Sequence, residues 1–270
     1  MYMLLLIILG VIVLFTTFMI KPKKRIHHRL VTLGLVLIIA GGTGVYETYQ
    51  GNIDNGDNPR QATKTNANSS SQLANLNYNG HQEIEVNNNN PTFSKKDLSI
   101  ASGAWQSFAD LDNFNRAIEA DALLNRSLMP TEKREPLYVN PTGWRNKRIP
   151  GGWLYNRSHL IGFQLSGQNN NPKNLMTATR SLNSPEMLKH ENDIAYYLKQ
   201  NPNNFIRYRV QPIYRNNELV ARGVQMMAES LDSQGNSDGQ VKFNVYIFNV
   251  EKGVTINYAD GTSVVNNNKE

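Results

Sequence analysis

The first 45 residues are strongly apolar and are interrupted only once, by a short basic cluster. Residues 3–20 form an uncharged run of 18 residues, and residues 30–45 form a second apolar stretch of 16. Between them the chain reads Lys-Pro-Lys-Lys-Arg-Ile-His-His-Arg. Runs of this length are at the short end for membrane-spanning helices, and basic loops stay cytoplasmic. The pattern predicts a transmembrane hairpin over residues 1–50, with loop 21–29 in the cytoplasm and the remainder outside the cell.

A cleaved signal peptide is the alternative interpretation of the same region. The second apolar stretch would then be the signal core, with the basic cluster before it and a cleavage site among the small residues near 40–46. Both interpretations export the rest of the chain. They differ in whether the protein stays at the cell membrane or is released.

Charge is distributed unevenly along the chain. The formal net charge is +6, but residues 1–29 contain five basic and no acidic side chains, which leaves 23 basic and 22 acidic residues beyond them. The chain has no cysteine, which excludes disulfides, thiolate metal sites and a cysteine nucleophile. A binding site for an anion must therefore come from local clustering of charge.

The composition divides the exported part into a linker, a domain and a tail. Residues 51–72 contain a single large apolar residue, Ile53, among polar ones and predict a flexible linker. Apolar residues return at Leu73, and residues 73–260 are of a plausible size for one domain. The polar residues 261–270 predict a tail.

The coarse pattern of this domain is a mixture of α and β, typical of an α+β fold. Alternation, turn signals and helical spacing define the segments. The predicted elements are a strand at 82–86, a helix at 110–124, strands at 153–155 and 175–179, a helix at 185–200, a hairpin of 205–214 with 219–231, and a strand at 241–250. The hairpin turns at Asn216-Asn217, and Ser184 followed by Pro185 predicts the start of the second helix.

A carboxylate falls on the apolar face of the helix 185–200. Met187, Glu191, Ile194 and Leu198 are spaced as one helical face. A buried carboxylate needs a cation or hydrogen-bond donors. Glu191 is therefore either the partner of an arginine or part of a functional site.

His159 follows the predicted strand 153–155 inside a strongly basic part of the chain. Residues 145–215 contain eleven basic side chains and three acidic ones. From chain context alone, His159 is either structural or catalytic, and the basic excess is either a solvated surface or a site for a polyanion. No recognition-helix pattern or ladder of aromatics appears, which argues against sequence-specific reading of bases.

Several spaced motifs together resemble the DNA/RNA non-specific endonuclease family. Residues 153–162 read Trp-Leu-Tyr-Asn-Arg-Ser-His-Leu-Ile-Gly, and residues 171–183 read Asn-Pro-Lys-Asn-Leu-Met-Thr-Ala-Thr-Arg-Ser-Leu-Asn. The family signature is Asp-Arg-Gly-His, a later metal-binding Asn, and a Glu eight residues after it. His159, Asn183 and Glu191 match that order and spacing. Within the family the chain is most similar to the streptococcal extracellular deoxyribonucleases and the membrane-anchored DNA-entry nuclease.

The resemblance implies a fold and a role for each matching residue. The implied fold is a ββα-metal finger set on an antiparallel β-sheet core. His159 would be the general base that takes a proton from water, and Asn183 the direct ligand of a hydrated Mg²⁺, with Mn²⁺ as the substitute ion. Glu191 would hold the waters of that metal. The implied reaction is hydrolysis of DNA phosphodiester bonds without sequence preference, with RNA as a further substrate that the sequence neither requires nor excludes.

Further residues near the signature are candidates with open alternatives. Arg157 is a catalytic candidate, and either it holds phosphate or it packs. The expected substrate-binding residues are Arg180, Lys173 and Arg145. Asn156 and Asn174 are expected to be structural residues near the site. Asn156 and Ser158 depart from the Asp and Gly of the commonest signature, so the acid that could tune the base is absent.

Two other functions remain as alternatives. The first is a non-catalytic surface receptor that binds DNA through the basic segment, although it would need neither a base nor a metal ligand. The second is a serine hydrolase using Ser158 or Ser166, which no Gly-x-Ser-x-Gly motif supports. The sequence gives no basis for a protein partner.

Overall fold

The computed structural model describes residues 63–65 and 69–266. The predicted transmembrane hairpin over residues 1–50 lies outside these residues. Among the residues described, no helix is both long enough and apolar enough to cross a bilayer. The described residues belong to one compact unit.

The centre of this unit is a seven-stranded sheet. Its strand order is β1-β2-β11-β10-β9-β4-β3, and every neighbouring pair is antiparallel except the parallel pair β1–β2. The strands are β1 (Thr63–Thr65), β2 (Glu83–Val86), β3 (Trp105–Phe108), β4 (Ala120–Asn125), β9 (Phe205–Ile213), β10 (Gly223–Leu231) and β11 (Ser237–Phe248). The predicted antiparallel core is therefore confirmed, with one parallel pair at its edge.

In the described part of the chain, three small hairpins and three α-helices accompany this sheet. The hairpins are β5 (Arg148–Ile149) with β6 (Gly152–Trp153), β7 (Tyr155–His159) with β8 (Leu175–Thr179), and β12 (Val254–Ile256) with β13 (Ser263–Val265). The helices are α1 (Ser70–Ala74), α2 (Phe163–Ser166) and α3 (Leu188–Gln200). The largest hydrophobic cluster joins buried residues of α3 and the β7–β8 hairpin to one face of the large sheet.

Most predicted strands are found close to their expected positions. The strand 175–179 is confirmed residue for residue as β8. The hairpin of β9 and β10 pairs Ile213 with Gly223, and Asn216 in its turn has φ = 50°, a conformation that asparagine tolerates. The predicted strand 153–155 is instead split into β6 and β7, with Leu154 between them.

The predicted helix over 110–124 is wrong. Residues 112–116 form a tight turn, in which the Asp112 carboxylate accepts hydrogen bonds from the backbone N–H groups of Phe114 and Arg116. The chain then enters β4, where Ala120, Ala122 and Leu124 alternate into the core. Asp121 points elsewhere and pairs with Arg207 and Arg209 of β9. These long-range partners override the loose local helical spacing.

The start of the second helix also differs from prediction. Ser184 does not cap α3, because it is extended (φ −153°, ψ 121°) within a wide turn over Leu182–Met187 that precedes the helix. The helix ends at Gln200, as predicted. The predicted linker 51–72 contains β1 and the start of α1, and the predicted tail 261–270 contains β13. Short strands that pair through the backbone leave little trace in composition.

Candidate active site

A hairpin and the helix that follows it carry the three signature residues. Strands β7 and β8 pair from Tyr155–Thr179 to His159–Leu175, and the chain then passes through the turn 182–187 into α3. His159 ends β7, Asn183 lies in the turn, and Glu191 lies in the first turn of α3. The arrangement is a ββα unit packed on an antiparallel sheet, as the resemblance implies.

The His159 side chain is buried and fixed in orientation by a backbone carbonyl. Its Nε2 lies 2.8 Å from the carbonyl oxygen of Asn169. Because a carbonyl can only accept, Nε2 carries the proton and the neutral ring keeps its lone pair on Nδ1. Burial lowers the pKa of His159; the bond to Asn169 opposes this shift, and the positive charge of Arg134 adds to it. The ring is therefore a neutral base at neutral pH.

Glu191 is buried, as the helical spacing predicts, and no arginine forms an ion pair with it in the described part of the chain. Burial raises the pKa of its carboxyl to about 7, against hydrogen bonds from the Gly162 backbone and Gln164 and the charge of Arg134. A Cβ placed on Gly162 would lie 2.6 Å from Oε2 of Glu191. Because Gly162 has no side chain, its backbone can approach the Glu191 carboxylate closely.

Asn183 lines a cleft of about 1160 Å³ on the surface. The residues around it come from several parts of the chain. They are Arg134, Leu137, Trp144, Arg145, Asn146, Lys147, Trp153, Tyr155, Asn156, Arg157, Asn183, Thr262 and Ser263. His159 and Glu191 do not line this cleft themselves. Arg134 connects the two parts of the site, because it lines the cleft and its charge acts on both buried groups.

The cleft is strongly cationic. Four basic side chains line it and no carboxylate does. Among the described residues, none of the four forms an ion pair with a carboxylate. Three of them are tied to neutral oxygens instead: Arg145 donates to the Asp260 carbonyl, Lys147 to the Ser263 carbonyl and Arg157 to the Val139 carbonyl. Their positive charge is available to an anion in the cleft.

Other basic side chains of residues 145–215 form ion pairs with carboxylates. Arg207 and Arg209 pair with Asp121, Lys189 with Glu83 and Glu186, and Lys173 with Asp110. The fold thus pairs part of the basic excess of the sequence with carboxylates. The basic residues that line the cleft are not among those paired with carboxylates.

The predicted substrate-binding residues occupy different surroundings. Arg145 lines the cleft. Lys173 does not, and its ammonium lies 2.6 Å from the Asp110 carboxylate. Arg180 is exposed and donates to the Gly151 carbonyl, which braces the β5–β6 hairpin. The structure therefore brings only Arg145 of these three into the cleft.

Arg157 lines the cleft and also supports the loop before it. Its guanidinium donates to the Val139 carbonyl and, at 2.6 Å, to the side chain of Asn140, and it lies 4.5 Å from the ring centre of Trp144. Both interpretations of Arg157, as a phosphate ligand and as a packing residue, agree with these contacts.

The two candidate structural asparagines differ in burial. Asn174 is fully buried, accepts from the Ile161 backbone N–H at 2.9 Å and donates to the Ile161 carbonyl at 3.0 Å. These bonds hold the segment after His159 against the entrance to β8. Asn156 lines the cleft beside Asn183.

The serine hydrolase alternative finds no support in the structure. The Ser158 hydroxyl is buried and contacts the sulfur of Met187. The Ser166 hydroxyl donates to the carbonyls of Ile161 and Gly162. Among the described residues, neither serine is hydrogen-bonded to a histidine that could activate it.

Three residues near the site were missed by sequence reasoning. Arg134 precedes the basic segment and follows an acidic residue two positions earlier, so nothing local distinguishes it. Asn169 acts on His159 through its backbone carbonyl, which any residue could supply. Gly162 belongs to the motif at residues 153–162, and its close approach to Glu191 explains why this position has no side chain.

The donor set suits a hard divalent cation. The amide of Asn183 makes no hydrogen bond within the described structure, and the chain offers no thiolate. The described residues contain no group of three or more His, Cys, Asp or Glu side chains that could hold a metal together. An ion bound at Asn183 would therefore keep most of its coordinated water molecules, as Mg²⁺ usually does in proteins.

Comparison with known proteins gives one family. A model of the DNA/RNA non-specific endonuclease family matches residues 98–232, which include His159, Asn183 and Glu191. A deoxyribonuclease of Streptococcus dysgalactiae subsp. equisimilis is 32% identical over 112 residues, which are 40% of this chain. The match spans 32% of the length of that relative.

Solved structures of two nucleases share the fold. NucA from Streptococcus agalactiae, with magnesium bound, has a TM-score of 0.58 and 25% identity over 67% of this chain and 87% of NucA. The Sda1 nuclease, with zinc bound, has a TM-score of 0.51 and 26% identity over 59% of this chain and 80% of Sda1. The matched model, the ββα unit and the order of its signature residues lead to one conclusion: the chain belongs to the DNA/RNA non-specific endonuclease family.

Proposed function

We propose that this protein is a metal-dependent endonuclease that hydrolyses DNA phosphodiester bonds at the cell surface with little sequence preference. The observation that carries the proposal is the cleft at Asn183, which is lined by four basic side chains that form no ion pair among the described residues, and by no carboxylate. A polyanion is the ligand that this charge pattern attracts. The names of the relatives, a deoxyribonuclease and two nucleases, support DNA as the substrate.

His159 is the proposed general base. Its Nε2–H is held by the Asn169 carbonyl, so Nδ1 can take a proton from a water molecule. Burial lowers its pKa, which favours the neutral ring that a general base requires. The proton received by the ring makes it an imidazolium, which the carbonyl of Asn169 continues to stabilise through the same bond.

Asn183 and Glu191 are the proposed metal-holding residues. The Asn183 amide oxygen would bind the ion directly, and the Glu191 carboxylate would accept hydrogen bonds from its waters. When bound, a Mg²⁺ ion supplies positive charge that stabilises the phosphate and the departing 3′ oxygen. NucA with magnesium and Sda1 with zinc support a divalent cation, and Mg²⁺, with Mn²⁺ as substitute, is our proposal for this chain.

The arginines of the cleft are the proposed phosphate ligands. Arg134 lines the cleft and its positive charge acts on both His159 and Glu191, so it is the proposed ligand of the phosphate next to the base. Arg145 and Lys147 are held by backbone carbonyls of residues 260–263, which fixes their position while leaving their charge free. Contacts of this kind bind the phosphate backbone and read no sequence.

The place of action follows from the first 50 residues. We propose that the hairpin of residues 1–50 anchors the protein in the cell membrane, with residues after 50 outside the cell. Cleavage near residues 40–46 is the alternative, and it would release the same nuclease. Separating membranes from culture medium and probing both for the protein decides between anchoring and release.

Plasmid cleavage by the full-length protein in detergent tests the activity. We expect nicking with Mg²⁺, none with EDTA, and a loss of at least ~10²-fold in His159→Ala. His81→Ala is the matched control, because His81 is exposed and lies outside the ββα unit. Gel retardation of DNA by wild-type protein without any cleavage in Mg²⁺ or Mn²⁺ would instead support the receptor function.

A further inference from the structure

Trp153 is an unusually exposed tryptophan at the edge of the cleft. Its side chain is 48% exposed, whereas Leu154 and Tyr155, the next two residues, are 0% and 1% exposed. Tryptophan is mostly buried in folded proteins, so a half-exposed indole needs an explanation. Trp153 is also one of the residues that line the cationic cleft.

The backbone on both sides of Trp153 is held rigidly. Leu154 donates to the Lys147 carbonyl at 3.0 Å, and Tyr155 exchanges two hydrogen bonds with the side chain of Asn146. Arg180 braces the hairpin turn through the Gly151 carbonyl. The indole is therefore presented from a fixed position, which reduces the entropy lost when a ligand binds to it.

The indole ring of Trp153 already contacts one positively charged side chain. Arg148 pairs with Trp153 across the β5–β6 hairpin, and its guanidinium carbon lies 4.6 Å from the centre of the indole ring system. This contact orients the ring and places a further positive charge beside the cleft. A flat aromatic surface next to cations that bind a polyanion is the combination that holds unpaired nucleic acid bases.

We infer that Trp153 is a stacking subsite for a nucleobase next to the phosphate bound in the cleft. The inference rests on the proposed nuclease function and adds a preference within it. A base inside a duplex is stacked on its neighbours and has no free face, whereas a base in a single strand has one. Single-stranded or frayed DNA is therefore the better substrate for this site.

The alternative that Trp153 is a structural residue makes a different prediction. Packing would make cleavage of all substrates depend on Trp153 to the same degree. Stacking makes the dependence specific to substrates that carry bases. The ratio of two substrates separates these cases, and it is independent of how much of a variant is folded.

The test compares oligothymidylate with an abasic strand of the same length, using full-length protein in detergent with Mg²⁺. We expect wild-type protein to cut oligothymidylate with a kcat/KM about tenfold higher than that for the abasic strand. In Trp153→Ala and Trp153→Leu this ratio should fall close to one, and Trp153→Phe should keep most of it. Tyr196→Ala is the control, because Tyr196 is an exposed aromatic residue outside the cleft.

An unchanged ratio in both Trp153→Ala and Trp153→Leu would overturn the inference while leaving the nuclease function intact. If the wild-type protein cuts neither strand and also fails to nick plasmid with Mg²⁺, the proposed function fails. Fluorescence anisotropy of the same two strands with the His159→Ala protein in EDTA then decides the stacking separately. If the protein with Trp153 binds oligothymidylate more tightly than the abasic strand, and replacement of Trp153 removes this difference, the inference is supported. Equal binding of both strands by the protein with Trp153 overturns it.

Discussion

Gly162 shows how a single missing side chain can make room for the buried carboxylate of Glu191, the proposed holder of the metal's waters. Its backbone has φ = −54° and ψ = 146°, which alanine can also adopt. The carboxylate of Glu191 occupies the space where a Cβ would stand. Substitution at this position is therefore a test of steric contact alone, free of backbone strain.

We expect Gly162→Ala to destabilise the protein by about 1–3 kcal/mol, the usual cost of overpacking, and to lower the rate of cleavage. Urea unfolding measures the first and plasmid nicking the second. Glu191→Asp, with its shorter side chain, should be less sensitive to the added methyl group. A double variant that loses as much stability as the sum of both single variants would contradict the contact.

The pKa of Glu191 predicts a pH dependence of stability in the absence of metal. Because the folded-state pKa is raised to about 7 from the usual value of 4.5, the folded protein holds this proton more tightly than the unfolded chain does. The contribution is complete below pH 4.5 and is lost as the pH rises to 7. The slope is at most about 1.4 kcal/mol per pH unit.

Denaturant unfolding in EDTA between pH 4.5 and 8 measures this effect. Glu191→Gln cannot titrate, so its stability should change less over that interval than the stability of wild-type protein. Parallel profiles for the two proteins would show that the carboxyl of Glu191 is solvated or already ionised.

At the scale of elements, the pairing of β4 with β9 depends on a buried ion pair. Arg207 is only 2% exposed, pairs with both carboxylate oxygens of Asp121, and lies between the rings of Phe93 and Trp105 at 4.8 and 4.9 Å. Removal of one partner leaves the other charge buried without compensation. This pair stabilises the sheet, whereas its charge is unavailable to a substrate.

We expect Asp121→Ala to lower the free energy of unfolding by about 3–5 kcal/mol. Lys173→Ala breaks the exposed pair with Asp110 and should cost less than about 1 kcal/mol. Thermal and urea unfolding of both variants give the comparison. A loss of similar size in the two would contradict the assignment of Asp121 and Arg207 as a buried structural pair.

Sequence patterns predict an element correctly where local backbone preferences agree with the long-range contacts of the fold. Strand β8 is apolar, short and fully buried, and the hairpin turn at Asn216 has a residue that tolerates positive φ, so both were predictable. The helix expected at 110–124 failed because Asp121 is satisfied by arginines of β9, 86 and 88 residues away. No local window contains that information.

The same distinction applies to the candidate site. Spacing and resemblance predict His159, Asn183 and Glu191 as site residues, because all three lie within one continuous ββα unit. Arg134 and the Asn169 carbonyl reach the site through the folding of loops, and the pairing of Lys173 with Asp110 spans 63 residues. Contributions of this kind require the assembled structure.

For the whole molecule, the cleft predicts a salt-dependent affinity for DNA. Four cations line it, so the logarithm of the binding constant should fall with the logarithm of salt concentration with a slope near −3.6 for duplex DNA if all four meet phosphates. Full-length His159→Ala protein in EDTA permits this measurement without cleavage.

In that background, we expect Arg134→Ala to reduce the magnitude of the slope by about 1. Lys199→Ala removes an exposed charge near the end of α3, away from the cleft, and should leave the slope unchanged. Equal changes in the two variants would mean that the overall charge of the protein, rather than the cleft, determines binding.

The walls of the cleft are far apart in the chain, and this has a consequence for biosynthesis. Residues 134–157 form most of the lining, Asn183 adds one side, and Thr262 and Ser263 close another. The carbonyls of Asp260 and Ser263 also hold Arg145 and Lys147 in place. In a chain emerging from the ribosome, Glu191 is therefore made some seventy residues before Thr262 and Ser263, and the cleft can take its final shape only after those later residues have folded against it.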